Sequence, residues 1–363
     1  MKFINFLIKL IAVLFVAFFV VVFVSISKDL KKQNNKTMFL AIEETKGNVE
    51  QVTQPELNDE TVVEENEMRS TTRNENTSTP KISKFYYSNL DSNAKMVYNA
   101  LSEQKSKLRK GNENINLPAE FGKAIDNGEN IEYIFSCAVN AFEYDNPELY
   151  YLDLSKMTLY YEKNAFGDFK IYLKPNNENG YLLSGFSNEQ DVISAQRKIN
   201  EIVNEIRINA NEMESDYDKI LYVHDWLTEN VKYDETISKP NKDTIYGVFV
   251  EGEAVCGGYA KAFKYVLDLV NINTIIIQGV GTNQNQTENH AWNYVQLDGN
   301  WYGVDCTWDD PIIVGDLTNY VEKKYYTYFL KGSVVFNEGH VPFENFYGTN
   351  VRITYPNLNE NDY

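Results

Sequence analysis

The chain has 363 residues, a formal net charge of −18 and a pI near 4.7. That balance speaks against nucleic-acid partners, because phosphate binding needs clustered Lys and Arg. Hydrophobic residues make up 43% and aromatics 14%, a globular composition with room for two domain-sized units or one large core with accessories.

The N-terminus carries a membrane signal. Lys2 and Lys9 precede an unbroken apolar run from Leu10 to Val24. Counted from Phe3 to Ile26, the segment is long enough to span ~30 Å of hydrocarbon at ~1.5 Å per residue. Residues 1–27 therefore read as a membrane anchor, with a cleaved signal peptide as the alternative because Ser25 and Ser27 are small residues at plausible cleavage positions. Lys28, Lys31, Lys32 and Lys36 pull their side inward by charge, but the large soluble remainder favours export. The expected location is a single-pass cell-membrane protein with its folded part outside, or a secreted one if the signal is cleaved. Residues 28–83 lose apolar periodicity and are dominated by Glu, Thr, Asn, Ser and Gln. Such a stretch buries too little surface to offset its ordering entropy, so a disordered polar linker is expected.

Order returns at Phe85-Tyr86-Tyr87. Leu90, Ala94, Val97, Tyr98 and Leu101 mark a helix with Asp91 or Ser92 as N-cap. Ile131, Ile134, Phe135, Ala138 and Phe142 mark a second, which Asn146-Pro147 ends; Cys137 beside this stripe reads as structural. Leu149 to Leu152 is expected to begin a strand, followed by strands Met157 to Glu162 and Asp168 to Leu173 around a turn at Gly167. A long helix through Val192, Ile199, Val203 and Ile206 leads to another that begins near Ser215-Asp216 and carries His224, which reads as a satisfied core histidine. These features divide the folded part into an N-terminal α+β region at 84–214, a core at 215–345 and a tail at 346–363.

Two stretches carry chemistry. In Glu253-Ala254-Val255-Cys256-Gly257-Gly258-Tyr259-Ala260, the apolar stripe Tyr259, Phe263, Val266, Leu267 and Val270 recurs at helical spacing. Cys256 thus sits at the first turn of a buried helix, where free N–H groups and the dipole favour a thiolate. Gly257 and Gly258 are poor helix formers whose small size suggests close approach of another backbone or of a substrate amide. Downstream, Asn289 to Leu297 and Asn300 to Trp308 read as strands joined at Asp298-Gly299, a two-residue hairpin signal. That register pairs Leu297 with Asn300, Trp292 with Asp305 and His290 with Thr307. It puts His290 and Asp305 on one face as diagonal neighbours about 7–8 Å apart at the backbone, and turns Cys306 to the opposite face as packing. Cys256 as nucleophile, His290 as proton carrier and Asp305 as its orienter are what thiol acyl transfer requires. The Cys256 N–H is one candidate oxyanion donor. Trp292, Trp301 and Trp308 either wall the cleft or pack the hairpin; Trp292 and Trp308 are taken with Gly257 and Gly258 as candidate substrate contacts. Three sparse cysteines without a Cys-x-x-Cys pair exclude a disulfide framework, and neither His-Glu-x-x-His nor an EF-hand loop occurs, so no metal or cofactor is expected.

Val255-Cys256-Gly257-Gly258-Tyr259-Ala260, then His290-Ala291-Trp292-Asn293, then Trp301-Tyr302-Gly303-Val304-Asp305-Cys306-Thr307-Trp308-Asp309-Asp310-Pro311 resemble, in order and spacing, bacterial members of the transglutaminase-like superfamily of papain-fold cysteine enzymes. The resemblance extends roughly from Ser215 to His340. Asp145-Asn146-Pro147-Glu148-Leu149 resembles an upstream part of exported Gram-positive members, and Tyr328-Phe329-Leu330 with His340 a C-terminal element in which His340 has no assigned catalytic role. It implies an α+β fold with the Cys256 helix packed on an antiparallel sheet bearing His290 and Asp305. It also implies attack on amide carbonyls through a thioester. The calcium dependence of animal transglutaminases is not carried over, since no calcium site matches. The resulting expectation is a cell-surface enzyme that cross-links protein, its partners being glutamine and lysine side chains or peptide amides, cell-wall associated, with the membrane bound through residues 1–27. A cysteine peptidase or amidase on the same triad and a non-catalytic surface binding module are the alternatives.

Overall fold

A computed structural model describes residues 43–44, 84–234, 240–283, 286–310 and 325–363. Helix α1 (Ser92–Glu103) starts at Asp91, whose side chain accepts a bond from Ala94 N, and it buries Ala94, Val97, Tyr98 and Leu101. Helix α2 (Ile131–Asp145) is capped by Asn130 and stops at Asn146, because Pro147 has no N–H to continue it. The Asp145 carboxylate is buried and accepts bonds from Tyr86 N at 3.0 Å, Tyr87 N at 2.8 Å and Tyr98 O–H at 3.3 Å. One side chain at the end of α2 thus fixes the short helix Phe85–Ser88 and α1.

Strand β1 (Ile115–Leu117) pairs with β3 (Phe169–Pro175), which pairs antiparallel with β2 (Met157–Lys163); Glu43–Glu44 runs parallel along the other side of β2. The rest of the expected linker at 28–83 and the expected anchor at 1–27 lie outside the described residues. The strand expected at Leu149 to Leu152 is not formed. Pro147 opens a 3-10 turn, Pro147–Leu149, since its fixed φ suits a helical first position, and Leu152 makes only an isolated bridge to Leu182.

Helices α3 (Glu189–Asn211) and α4 (Asp216–Asn230) are capped by Asn188 and Ser215. They pack with helix α5 (Cys256–Leu269) around a continuous apolar core that includes Val203, Ile206, Ile220, Val223, Phe263 and Leu267. Two-residue strands β4 (Lys232–Tyr233) and β5 (Glu253–Ala254) pair in parallel ahead of α5. A second sheet has the order β9 (His340–Pro342), β6 (Thr274–Asn283), β7 (Gln286–Leu297), β8 (Asn300–Val304), antiparallel throughout. The fold is therefore α+β, with the Cys256 helix laid on an antiparallel sheet. Strand alternation divides the sheet's faces. Ala291 meets Ile276 and Ala260 of α5, and Asn293 Nδ2 donates to Ala260 O at 3.0 Å. Trp292 and Tyr294 turn the other way, onto Ile275, Ile277 and Phe336. The tail is part of the same compact unit, which spans residues 42–363: Asn359 N donates to Trp301 O at 2.8 Å.

The β7–β8 hairpin turns where expected. Asp298 and Gly299 have φ of 50° and 80°, the left-handed pair of a type I′ turn, and Leu297 faces Asn300. The ladder, however, ends at Asn293 and Val304. The expected pairs Trp292–Asp305 and His290–Thr307 do not form, because the Asp305 carboxylate accepts bonds from Thr307 N and Trp308 N and turns residues Cys306–Asp309 into a short helix.

No helix among the described residues is long and apolar enough to cross a membrane. Asp145→Ala orphans two backbone donors at once, so urea unfolding is expected to show a loss of about 2–3 kcal/mol; a loss under about 0.5 kcal/mol would contradict the joining role given to this carboxylate.

Candidate active site

Cys256 is the first residue of α5 and is half-buried; Val255, the N-cap, supplies no side-chain bond to the helix end. The first N–H groups of the helix therefore keep their polarity for whatever sits at Cys256. Gly257 and Gly258 are both buried. A Cβ on Gly257 would meet Asp243 Oδ1 at 1.7 Å, and one on Gly258 would meet Lys242 O at 2.6 Å and Ala254 Cβ at 2.8 Å. The two glycines are thus clearance for the chain's own 242–244 segment, which Val255 N also bonds through Lys242 O at 3.0 Å. The space that side chains at these two positions would need is occupied by the protein itself.

His290 and Asp305 meet although the expected ladder does not reach them. His290 Nε2 lies 2.6 Å from Asp305 Oδ2, and the ring also shares a hydrogen bond with Cys256. With Nε2 taken by the carboxylate, Nδ1 is the nitrogen left for the thiol. Asp305 arrives as the N-cap of Cys306–Asp309, so the same carboxylate that stops the strand aligns the imidazole. Burial alone would lower the His290 pKa, but the Asp305 charge, their hydrogen bond and Cys256 carry it up to about 10. Asp305, buried yet faced by His290 and His340, is held well below the usual carboxylate range.

His340, placed by the sequence in a C-terminal element with no catalytic role, sits on the Asp305 carboxylate. Its Nε2 lies 3.0 Å from Asp305 Oδ2 and its Nδ1 lies 3.1 Å from Phe336 O. The ring is fully buried, stacked on Phe336 at 4.0 Å between centroids, and flanked by Trp292, Trp308 and Tyr328. The three groups His290, Asp305 and His340 bring their ligand atoms within 4.8 Å of one another, near enough for a metal ion. Both Nε2 atoms, however, point at one carboxylate oxygen at hydrogen-bond distance, an arrangement made for protons shared between them.

Tyr233 is a residue without a sequence signal. The β4–β5 pairing sets Tyr233 beside Ala254, and Asp234 N donates to Ala254 O at 2.9 Å, which brings this half-buried tyrosine to the start of the Cys256 helix. Burial first, then the charges of Cys256, Glu288 and Asp305, raises its pKa to about 12, so the phenol keeps its proton at neutral pH.

The remaining candidates separate cleanly. Trp308 stacks on His290 at 4.5 Å and 16°, over a spot that Gly281 keeps open: a Cβ there would lie 2.8 Å from the indole. Trp292 is 1% exposed, which removes it from the candidate substrate contacts and makes it core; Trp301 is half-buried against that same cluster. Cys306 is buried in the helical core. Cys137 is buried too, and burial pushes its thiol up to about 11. His224 is a satisfied core histidine, with Nε2 at 3.1 Å from Asp309 and Nδ1 at 3.2 Å from Asp225.

Comparison with known proteins agrees with this geometry. Residues 202–306 match the family model of the transglutaminase-like superfamily, and they contain Cys256, His290 and Asp305 but not His340. The chain thus carries a domain of the transglutaminase-like superfamily. It is 22% identical over 161 residues to the kyphoscoliosis peptidases of Mus musculus and Homo sapiens, 41% of this chain and 24% of each relative; the match spans about a quarter of those proteins. Among solved structures, a TGase gives a TM-score of 0.29 at 14% identity, covering 48% of this chain and 55% of that one. The periplasmic domain of TgpA from Pseudomonas aeruginosa gives 0.25 at 15%, covering 39% and 54%.

A group held protonated by the fold contributes its full stabilisation below the free imidazole value of about 6.5, and loses it as pH climbs through the folded value of about 10. The gap in unfolding free energy between wild type and His290→Gln should therefore be widest near pH 6 and shrink toward pH 10. A gap that stays constant over that range contradicts the ion-pair description.

Proposed function

We propose that the protein is a membrane-tethered, cell-surface thiol acyltransferase that attacks amide carbonyls of protein or peptide substrates and passes the acyl group to an amine. The observation that carries this reading is the line Cys256, His290, Asp305 at the N-terminus of α5, with Asp305 2.6 Å from His290.

The chemistry follows from the donors present. Cys256 Sγ, as thiolate, attacks the carbonyl carbon while His290 keeps the proton. The oxyanion that forms takes hydrogen bonds from the Cys256 backbone N–H and, in our assignment, from the Tyr233 O–H; each such donor is worth about 10²-fold in rate or more. Collapse of the tetrahedral intermediate breaks the C–N bond, and His290 gives its proton to the departing amine. Forming the thioester consumes the thiolate, one of the charges that held that proton, so transfer becomes easier at the moment it is needed. An incoming amine then attacks the thioester, His290 takes its proton and keeps it while the sulfur leaves as thiolate, and release of the new amide restores the starting pair. Trp308, stacked over the imidazole, limits water at this step and borders the space where a substrate would lie. If water rather than an amine resolves the thioester, the same groups carry out hydrolysis; the peptidase name of the curated relatives favours keeping that second outcome in the test.

Residues 84–363 incubated with a glutamine-containing protein and a labelled primary amine should incorporate label, and Cys256→Ala should abolish it. Cleavage or deamidation without incorporation selects the hydrolase, and neither reaction with any amide substrate contradicts catalysis. Tyr233→Phe should lower kcat about 10²-fold with little change in KM; an unchanged kcat would remove this residue from the oxyanion site.

A further inference from the structure

Behind the nucleophile lies a charge cluster that the triad does not use. Lys261, on α5, is buried at 6% exposure. Its ammonium donates to Asp243 Oδ2 at 2.8 Å, to Asp243 O at 2.9 Å and to Glu143 Oε1 of α2 at 2.8 Å. Asp243 in turn presses on the nucleophile's helix. Its Oδ1 fills the space that a side chain on Gly257, the residue after Cys256, would need.

A carboxylate there has two opposing effects. It suits the positive end of the helix, but it also uses up that field and repels a thiolate one residue away. A burial site for a lone lysine is costly unless it is paired, and this lysine is paired with the carboxylate that would otherwise oppose Cys256. The groups facing the pair are Glu143 and Tyr144 from α2 and Asp243 from the 242–244 segment; those around Cys256 are His290, Tyr233 and, through His290, Asp305. Among them Lys261 is the cation on the helix side of Asp243.

We propose that Lys261 is a positioning residue for Cys256, neutralising Asp243 at the N-terminus of α5 so that the helix end supports the thiolate. The geometry also explains why two consecutive glycines follow the nucleophile: they let the neutralised Asp243 and the Lys242 carbonyl dock directly on the first turn. This inference rests on reading Cys256 as a nucleophilic thiol.

The test is a charge cycle read by alkylation of Cys256 with iodoacetamide across pH 5 to 9, in the full chain carrying Cys137→Ser/Cys306→Ala. Enhanced labelling of the unaltered site at pH 6, relative to a free thiol, tests the nucleophile reading by itself. Given that labelling, Lys261→Met should slow alkylation at pH 6 about tenfold, because the thiolate is the form that reacts. Asp243→Asn should speed it, and Lys261→Met/Asp243→Asn should return it to near the unaltered rate. If the double variant is as slow as Lys261→Met, the lysine acts only as packing and the proposal fails. Should Lys261→Met not fold, Asp243→Asn decides alone: an unchanged or slower rate overturns the proposal, and a faster one supports it.

Discussion

Everything at this site depends on one buried carboxylate. Asp305 is 1% exposed, a position that costs several kcal/mol for an ion unless its lone pairs are filled. They are filled from four directions: Thr307 N and Trp308 N on Oδ1, His290 Nε2 and His340 Nε2 on Oδ2. Each partner belongs to a different requirement. The two backbone donors end strand β8 and begin a helical turn, His290 faces the thiol, and His340 ties the β9 edge of the sheet to the centre. The group that sets the fold at this corner is thus also the group that orients the base.

Seen this way, the sheet and the helix deliver two halves of one device. The helix end presents Cys256 without a side-chain cap, and the hairpin presents a ring whose second nitrogen is already fixed. Opposite charges are paired on both sides of the site: His290 with Asp305, and Lys261 with the Asp243 that packs on Gly257. Such pairing lowers the cost of burying His290, Asp305 and Lys261, because each has an opposite charge within hydrogen-bond reach.

Much of this was legible in the sequence where local rules act. Asp298-Gly299 fixed the hairpin turn and the Leu297–Asn300 register, and the stripe from Tyr259 to Val270 placed Cys256 on the first turn of a buried helix. Local rules then reached their limit at Asp305. Alternation extends a strand through Trp308, but an aspartate able to cap a helix competes with the ladder, and here the cap wins. The contact with His290 survives because both routes bring the carboxylate to the same corner. Glycines show a different limit: Gly257 and Gly258 signal close approach without saying what approaches, and a surface loop far from them in pattern, 242–244, is the answer. For His340 a family resemblance marked a C-terminal element but no role, and Tyr233 had no local signal at all. One joins Asp305 across 35 residues and the other sits on a two-residue strand, too short for any periodicity to show. Trp292 looked like a cleft wall because it lies two residues from the base on the same strand face; there Phe336 and His340 pack over its ring and bury it.

The account turns on Asp305 keeping the His290 ring charged and aimed, and that is open to direct measurement. Histidine ring NMR, with the His290 signals assigned from their loss in His290→Gln, can be followed from pH 5 to 10 in unaltered protein and in Asp305→Asn. The account predicts that His290 stays protonated beyond pH 8 in the unaltered protein and titrates near the ordinary imidazole value of about 6.5, or below it, in Asp305→Asn. Identical titrations in the two proteins would contradict it.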